Sequence, residues 1–324
     1  MGAAATPLVV VTGPDEGLIE RAETALAGLA RVALLPPAGA ERAALLSAAT
    51  VLIVPAWGLG DDELPLLGTV RLVQSLWAGA DRIPVARLRA ACPGVTVATG
   101  AGPNAPQVAE HALALYLACT RRLVPRDQAL RAGIWEQWAD ARRVAGSRVA
   151  VVGTGHVGSR ILRALAALDA TCIGVNRSGR AVAGAAGMTL PALRQQLASL
   201  DGVILALPLA RSTVGLVDTA WLAAMRPDGI LVNVARGRLV DAAALHRHLL
   251  ENPSFFAGLD VWWTYPKPGA PWVDPHGFAA LPNVVMSPHH AFQAPGVRAA
   301  MQAGAVANVR RFLETGEVGN RYVD

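Results

Sequence analysis

Short apolar runs alternate along this chain with Ala- and Leu-rich stretches of helical spacing, and no other feature limits its fold so tightly. Strands separated by helices do not return as hairpins; they are carried into parallel sheets covered by helices. The runs Leu8–Val11, Val32–Leu35, Val51–Val54, Leu72–Leu76 and Val95–Ala98 form a first series. Near Pro103 it gives way to a long helix, predicted at about 107–123, and a polar connector holding Arg131-Ala132-Gly133-Ile134-Trp135, where a domain boundary is expected. A second series follows: Arg148–Val152, Thr171–Val175, Gly202–Ala206, Ile230–Val234, Phe256–Asp260 and Val284–Met286. A closing helix, predicted at Val297–Thr315, can return to the first domain. The expectation is an α/β protein of two doubly wound parallel-sheet domains. A length of 324 residues agrees, at about 100–200 residues per domain.

Composition narrows the function classes. Hydrophobic residues make up 53% and charged residues 16%, which excludes a disordered chain. Mean hydropathy is +0.36, yet Arg, Asp, Gly or Pro interrupts every candidate for a membrane-spanning run, so no membrane partner is expected. The net charge of +5 is spread singly or in pairs such as Arg121-Arg122 and Arg142-Arg143. No basic stripe for nucleic acid results, and anionic small molecules are the suitable partners. Cys92, Cys119 and Cys172 are odd in number and far apart, which fits a reducing, cytoplasmic setting better than a disulfide framework or zinc knuckle. No basic segment precedes the first apolar stretch, so no signal peptide is expected. Met1-Gly2 with Thr6 matches an acylation pattern in letters only, without a polybasic flank.

The run Val149 to Gly158 is a strand leading into Gly153-x-Gly155-x-x-Gly158, followed by a stretch of helical spacing from His156 to Leu168 and another strand. In that context Gly153 permits a tight turn and Gly155 lets backbone approach a pyrophosphate. Gly158 allows close helix–strand packing, and the helix N-terminus offers N–H groups to the anion. Dinucleotide binding is the expectation. The next strand ends in Val175-Asn176-Arg177-Ser178-Gly179-Arg180, where an NAD-binding site would carry a carboxylate for the ribose hydroxyls. Guanidinium groups suit a phosphate instead. NADP is therefore expected ahead of NAD, with Arg177 and Arg180 on the 2′-phosphate and Asn176 or Ser178 assisting.

Six ordered landmarks carry a resemblance: Ala78-Gly79-Ala80-Asp81, Asn104 to His111, the glycine motif, Val232-Asn233-Val234-Ala235-Arg236-Gly237, Leu259-Asp260-Val261 and Ser287-Pro288-His289. With them the chain resembles, nearly end to end, the D-isomer-specific 2-hydroxyacid dehydrogenases, relatives of glyoxylate/hydroxypyruvate reductase, phosphoglycerate dehydrogenase and formate dehydrogenase. The resemblance implies a flavodoxin-like substrate domain (1–103 plus 293–324), a Rossmann cofactor domain (104–292), an active site in the cleft between them, and a homodimer. It implies a hydride passed between NADP(H) and a small 2-oxoacid or D-2-hydroxyacid, with Arg236 as electrophile and His289 as acid/base. Backbone N–H groups of Ala78, Gly79 and Ala80 would hold the substrate carboxylate, with Trp77 walling the pocket and Asn104 beside substrate or cofactor. Asp260 corresponds to the carboxylate that meets the nicotinamide amide. His156, Val157, Leu207, Pro208, Thr213, Val234 and Ala235 complete the cofactor set. Glu110 and His111, on the long helix, are expected in packing or hinge roles.

One departure stands out. Where most of the family has a glutamate paired with the histidine, and formate dehydrogenase a glutamine, the run Asp260-Val261-Trp262-Trp263-Thr264-Tyr265 puts Tyr265. A phenol can orient an imidazole but adds no charge to stabilise imidazolium. Two alternatives follow from it: oxidation of a simple anion in the manner of formate dehydrogenase, or a catalytically silent dinucleotide-binding protein. The Trp262, Trp263 and Tyr265 group also reads as packing. His246 and His248 fall at i, i+2 on a predicted helix and face apart. With His276, His289 and His290 they lack Cys or acidic partners at ligand spacing, so no metal site is expected.

Overall fold

The computed structural model describes residues 6–267 and 269–322. Met1 and Gly2, on which the acylation pattern rests, lie outside the described residues. The chain forms two compact units, the described part of Met1–Asn104 with Ala294–Asp324, and Ala105–Gln293.

The first unit contains β1 (Leu8–Val11), α1 (Leu18–Ala25), β2 (Arg31–Leu34), α2 (Ala40–Ala48), β3 (Val51–Val54), β4 (Leu72–Ser75), α3 (Val85–Ala91) and β5 (Thr96–Ala98). Its five parallel strands are ordered β2-β1-β3-β4-β5, the flavodoxin-like winding. Side chains alternate across the sheet as a period of two requires. Val9, Val11, Val51 and Ile53 pack on one face with Leu18 and Ala22, while Val10, Leu52 and Val54 pack on the other with Leu46 and Leu88. The closing helix packs on the first of these faces through Val306, Val309 and Phe312.

The second unit runs α4 (Ala105–Thr120), α5 (Leu123–Arg131), β6 (Arg148–Val152), α6 (Gly158–Ala166), β7 (Thr171–Val175), β8 (Ala186–Met188), α7 (Leu190–Arg194), β9 (Gly202–Leu205), α8 (Thr219–Ala224), β10 (Ile230–Asn233), α9 (Ala242–Glu251), β11 (Phe256–Leu259) and β12 (Val284–Met286). The closing helix of the first unit, Val297–Thr315, is α10. The seven strands are parallel and ordered β12-β11-β10-β9-β6-β7-β8, the order of a Rossmann sheet with one strand added at its far edge. One face takes α4 and α6, through Ala112, Leu115, Tyr116, Ile161 and Leu165. The other takes α7, α8 and α9, through Leu193, Trp221 and Leu245. Asp218 and Asp241 begin α8 and α9 by accepting the N–H groups of Trp221 (2.7 Å) and Ala244 (3.0 Å).

Two expectations need correction. Residues 123–131, expected partly in the long helix and partly in the connector, form a separate helix, and Arg131 ends it. Arg122 breaks the run with φ +50°, and Pro125 is tolerated because it lies in the first turn of α5. Strand β8 lies in the Ala-rich stretch, where low β-propensity hides a strand that exists by pairing with β7.

Helix α4 rests on β9 at a site that only glycine allows. A Cβ on Gly202 would come within 2.6 Å of the Tyr116 ring. Burial pushes the Tyr116 phenol up to about 12. The neutral form is the one the fold favours, so this contribution to stability is complete below the unfolded value of about 10 and is lost as pH rises through about 12. Ultraviolet titration of the three tyrosines is expected to resolve one that ionises last, and Tyr116→Phe removes that step. A Tyr116→Phe titration identical to that of the parent would contradict this packing.

Candidate active site

Every strand of the second sheet points the same way, so the strand-to-helix connections gather at its carboxyl edge. Across that edge lie, in spatial order, the loops after β12 (His289), β11 (Asp260 and Tyr265), β10 (Arg236), β9 (Leu207 and Pro208), β6 (the glycine turn) and β7 (Asn176 to Arg180). Five inter-strand steps of about 4.8 Å make roughly 24 Å. The strand order reverses between β6 and β9, the crevice where doubly wound sheets bind ligands.

The three glycines of the turn do different things. Gly153 has φ +95°, and a Cβ there would lie 2.5 Å from the Ala206 carbonyl oxygen. At Gly158 a Cβ would lie 1.8 Å from the Gly153 carbonyl oxygen, whereas at Gly155 it would meet nothing within 4 Å. The first and third therefore close the turn and the second faces open space. Among the described residues the N–H groups of Thr154, Gly155, Val157 and Gly158 have no protein acceptor, so the start of α6 offers donors and a positive dipole end to an anion. His156 is exposed on the same turn.

The β7 loop is built around Asn176. Its Oδ1 accepts from the Ser178 N–H (3.2 Å), the Ser178 hydroxyl (2.9 Å) and the Arg180 N–H (3.2 Å), and its Nδ2 donates to the Arg180 carbonyl (2.9 Å). The Asn176 and Ser178 side chains thus shape the loop. Among the described residues the exposed Arg177 and Arg180 guanidinium groups have no hydrogen-bond or ion-pair partner. Beyond β9, Thr213 closes a short turn by accepting the Ala210 N–H at 2.8 Å.

Arg236 sits just past β10 on a loop organised by Asn233, whose Oδ1 accepts the Ala235 N–H (3.0 Å) and whose Nδ2 donates to the Arg236 carbonyl (2.9 Å). Val234 and Ala235 are buried. The residue after Arg236 must be glycine, because a Cβ on Gly237 would lie 2.4 Å from the Trp262 carbonyl. That approach sets the Arg236 loop against the aromatic loop after β11. There Trp262 Nε1 donates to the Ser287 carbonyl (2.9 Å), and Trp263 stacks on Phe278 with 5.2 Å between ring centroids. The Tyr265 hydroxyl accepts the Trp262 N–H at 3.2 Å, and the Tyr265 ring lies 5.3 Å from the His289 ring at 41°.

His289 has φ +56°, a left-handed conformation that costs a residue with a Cβ about 1–2 kcal/mol. Beneath its loop lies Asp260, fully buried. Asp260 Oδ1 accepts from the Ser287 hydroxyl (2.6 Å) and the His290 N–H (2.8 Å), and Oδ2 from the Ala291 N–H (3.1 Å). His111 Nε2, on α4, stands 3.4 Å from Oδ1. Burial raises the Asp260 pKa, but His111, Ser287 and the two backbone N–H groups outweigh it and hold it below the ordinary carboxylate value. The balance is reasonable: a buried carboxylate loses several kcal/mol of solvation, and each hydrogen bond to a charged group returns about 1.5–3 kcal/mol.

In the first unit the loop after β4 carries Trp77, Ala78, Gly79 and Ala80. Trp77 is held by its indole N–H on the Pro55 carbonyl (2.5 Å) and by its backbone N–H on Ser75 Oγ (3.1 Å). Among the described residues the next three N–H groups, of Ala78, Gly79 and Ala80, have no acceptor, a run of backbone donors of the kind that binds anions. Asn104 is the last residue of this unit. Sequence reasoning passed over Asn233, Ser287 and His111 as site residues. Asn233 and Ser287 lie inside the landmark motifs, and a polar residue at the end of an apolar strand was the available signal. Among the described residues no group of three or more His, Cys, Asp or Glu side chains is placed to hold a metal ion, and no helix is long and apolar enough to cross a membrane.

Residues 113–291 match the family model for the D-isomer specific 2-hydroxyacid dehydrogenase, NAD binding domain. The chain is 33% identical over 257 residues to D-3-phosphoglycerate dehydrogenase of Mycobacterium leprae, covering 78% of this chain and 47% of that protein. It thus spans about half the length of the first curated relatives it matches. A D-isomer specific 2-hydroxyacid dehydrogenase from Xanthobacter autotrophicus Py2, solved with NADPH and MES, superposes with a TM-score of 0.81 at 28% identity, covering 99% of this chain and 98% of that one. The NADPH-dependent glyoxylate/hydroxypyruvate reductase of Sinorhizobium meliloti, solved with NADP and malonate, gives 0.75 at 26% identity, covering 98% and 97%.

The unequal glycines make a paired prediction. Gly158→Ala is expected to destabilise the protein by about 1–3 kcal/mol, the usual range for overpacking, in urea unfolding. Gly155→Ala should leave unfolding nearly unchanged while weakening dinucleotide binding measured by fluorescence titration. Equal stability of the two variants would contradict the geometry of the turn.

Proposed function

The chain belongs to the D-isomer specific 2-hydroxyacid dehydrogenase family, and from that premise we propose that it passes a hydride between NADP(H) and a small 2-oxoacid or D-2-hydroxyacid. This reading is carried by the placement of an arginine and a histidine, Arg236 and His289, beyond the carboxyl ends of β10 and β12, two strands flanking β11 in one sheet. The bound dinucleotide supplies the hydride. Thr154, Gly155, Val157 and Gly158 offer N–H groups to its pyrophosphate, and the open face of Gly155 leaves room for it. The Arg177 and Arg180 guanidinium groups, without a hydrogen-bond or ion-pair partner among the described residues, suit a 2′-phosphate, which favours NADP over NAD.

Arg236 holds the substrate through a planar fork that matches a carboxylate together with the adjacent carbonyl oxygen. It stabilises the negative charge that grows on that oxygen during reduction. The free N–H groups of Ala78, Gly79 and Ala80, beside Trp77 in the first unit, are of the kind that suits a carboxylate. His289 gives a proton to the same oxygen in reduction and takes it back in oxidation. Tyr265 lies against the imidazole as a neutral neighbour. The active form is a homodimer: Ile134, Trp135 and Trp138 expose 55%, 74% and 89% of their surface, an apolar patch suited to burial against a second copy.

Initial rates with NADPH and NADH against glyoxylate, hydroxypyruvate, pyruvate and phenylpyruvate test the assignment. Turnover of at least one acid is expected, with NADPH preferred by about tenfold or more in kcat/KM, equivalent to about 1.4 kcal/mol. Arg177→Ala should reduce that preference. A preference for NADH would overturn the cofactor assignment, and silence with every acid would overturn the reaction.

The neutral Tyr265, 43% exposed and hydrogen-bonded to the Trp262 N–H, favours a second reading: oxidation of a simple anion that has no hydroxyl proton to move. His289→Ala separates the two. Oxoacid reduction should fall by about 10²–10⁴, the range for losing a general acid, whereas formate oxidation that survived the substitution would favour the second.

A further inference from the structure

Among the described residues Gln107 Oε1, near the start of α4, is shielded from solvent and has no hydrogen-bond partner. A buried acceptor left unpaired destabilises a fold, and one kept at the carboxyl edge of a ligand-binding sheet points to a donor that arrives with the ligand. We propose that Gln107 is a cofactor-binding residue, whose Oε1 accepts from the carboxamide N–H of the nicotinamide ring beside Asp260. The inference rests on the dinucleotide reading given above. It keeps the nicotinamide contact of Asp260 that the resemblance implies and adds a second one.

The place of Gln107 follows from how α4 lies on β11. A Cβ on Gly258 would come within 3.0 Å of Leu115 Cβ and 3.4 Å of Cys119 Sγ, so the second half of the helix covers the strand there. Two residues further along the chain, Asp260 Oδ1 has His111 Nε2 at 3.4 Å. Helix and strand therefore run in opposite directions. Four helical residues rise about 6 Å and two strand residues about 6.6 Å, so the two stay in step. Gln107 precedes His111 by one turn on the same face of α4. It stands about 6 Å beyond Asp260, where the strand has already ended. The strand beneath it is the one that lies between β10, which leads to Arg236, and β12, which leads to His289.

The chemistry of the ligand selects the partner. Hydride transfer requires the nicotinamide ring to meet the substrate where Arg236 and His289 act, over the end of β11. The ring's one polar substituent there is a carboxamide, which carries two N–H donors. Asp260 takes one of them and Gln107 the other. A 2-oxoacid in the same place offers only acceptors, which a glutamine oxygen repels. The unliganded protein then bears an unpaired acceptor that the bound cofactor satisfies, an exchange of stability for affinity of the kind found at functional sites. A glutamine that merely supported the fold would have the opposite signature, since its loss would weaken the unliganded protein.

Gln107→Met removes the acceptor at similar length, and Gln107→Glu keeps one. The probes are NADP⁺ and its 3-acetylpyridine analogue, in which a methyl ketone replaces the carboxamide and no N–H is present. Both carry the same ring charge, so their ratio isolates the amide. Dissociation constants come from quenching of tryptophan fluorescence, and urea unfolding is followed without cofactor. The parent should bind NADP⁺ about tenfold or more tighter than the analogue. In Gln107→Met that preference should shrink by about three- to tenfold, through weaker NADP⁺ binding, with the analogue within about twofold of the parent. Gln107→Glu should retain most of the preference, and the urea midpoint of unliganded Gln107→Met should equal or exceed that of the parent. A preference unchanged in Gln107→Met would overturn the inference. So would an unfolded Gln107→Met, or equal weakening of both dinucleotides with a lowered urea midpoint. A parent that bound neither dinucleotide would overturn the dinucleotide reading and the inference with it, whereas binding of both with a ratio indifferent to residue 107 overturns the inference alone.

Discussion

In the second sheet the common direction of the strands governs almost everything else. Parallel strands cannot be joined by tight turns, so each must be followed by a crossover, and every crossover leaves from the same edge. Both faces of the sheet are occupied by helices, which leaves apolar packing to the strands and polar chemistry to the loops at their ends. The glycine turn, the β7 loop, Arg236, Asp260 and His289 are all products of that division.

Loops at the edge of a sheet are ordinarily its least ordered part, yet three of these are fastened from within. At the end of β10 Asn233 binds Ala235 and Arg236, just past β7 Asn176 binds Ser178 and Arg180, and just past β11 Asp260 binds Ser287, His290 and Ala291. In each case a polar side chain where an apolar strand stops satisfies backbone donors that would otherwise be stranded. The first two act within their own loop. Asp260 reaches a neighbouring one, and so ties the loop after β12 to the end of β11. Steric exclusion adds a second kind of fastening, since Gly237 admits the Trp262 backbone and Gly158 admits the Gly153 carbonyl.

Much of this was legible from residue order. The six strands expected in the second unit appear at or within one residue of their predicted ends, and the closing helix spans Val297–Thr315 as expected. Apolar periodicity is a local property that survives in the linear chain. Strand β8 was not legible, because an Ala- and Gly-rich triplet becomes a strand only when β7 lies beside it. Helix α5 was hidden by a proline whose position in the first turn makes it harmless. The glycine motif announced a turn, but the difference between the closed faces of Gly153 and Gly158 and the open face of Gly155 depends on what surrounds each one.

By itself the sequence determined the α/β class, the two series of parallel strands, the dinucleotide-type turn, and the basic, carboxylate-free end of β7. These depend on spacing and on residue type, which are properties of neighbours in the chain. The tertiary structure alone decided that Asp260 lies under the backbone of His290 and Ala291, thirty and thirty-one residues away, that Tyr265 gives its ring to His289 and its hydroxyl to Trp262, and that His111 faces a buried carboxylate. Such pairings are set by strand register and helix packing, which bring together groups whose separation along the chain carries no sign that they will meet.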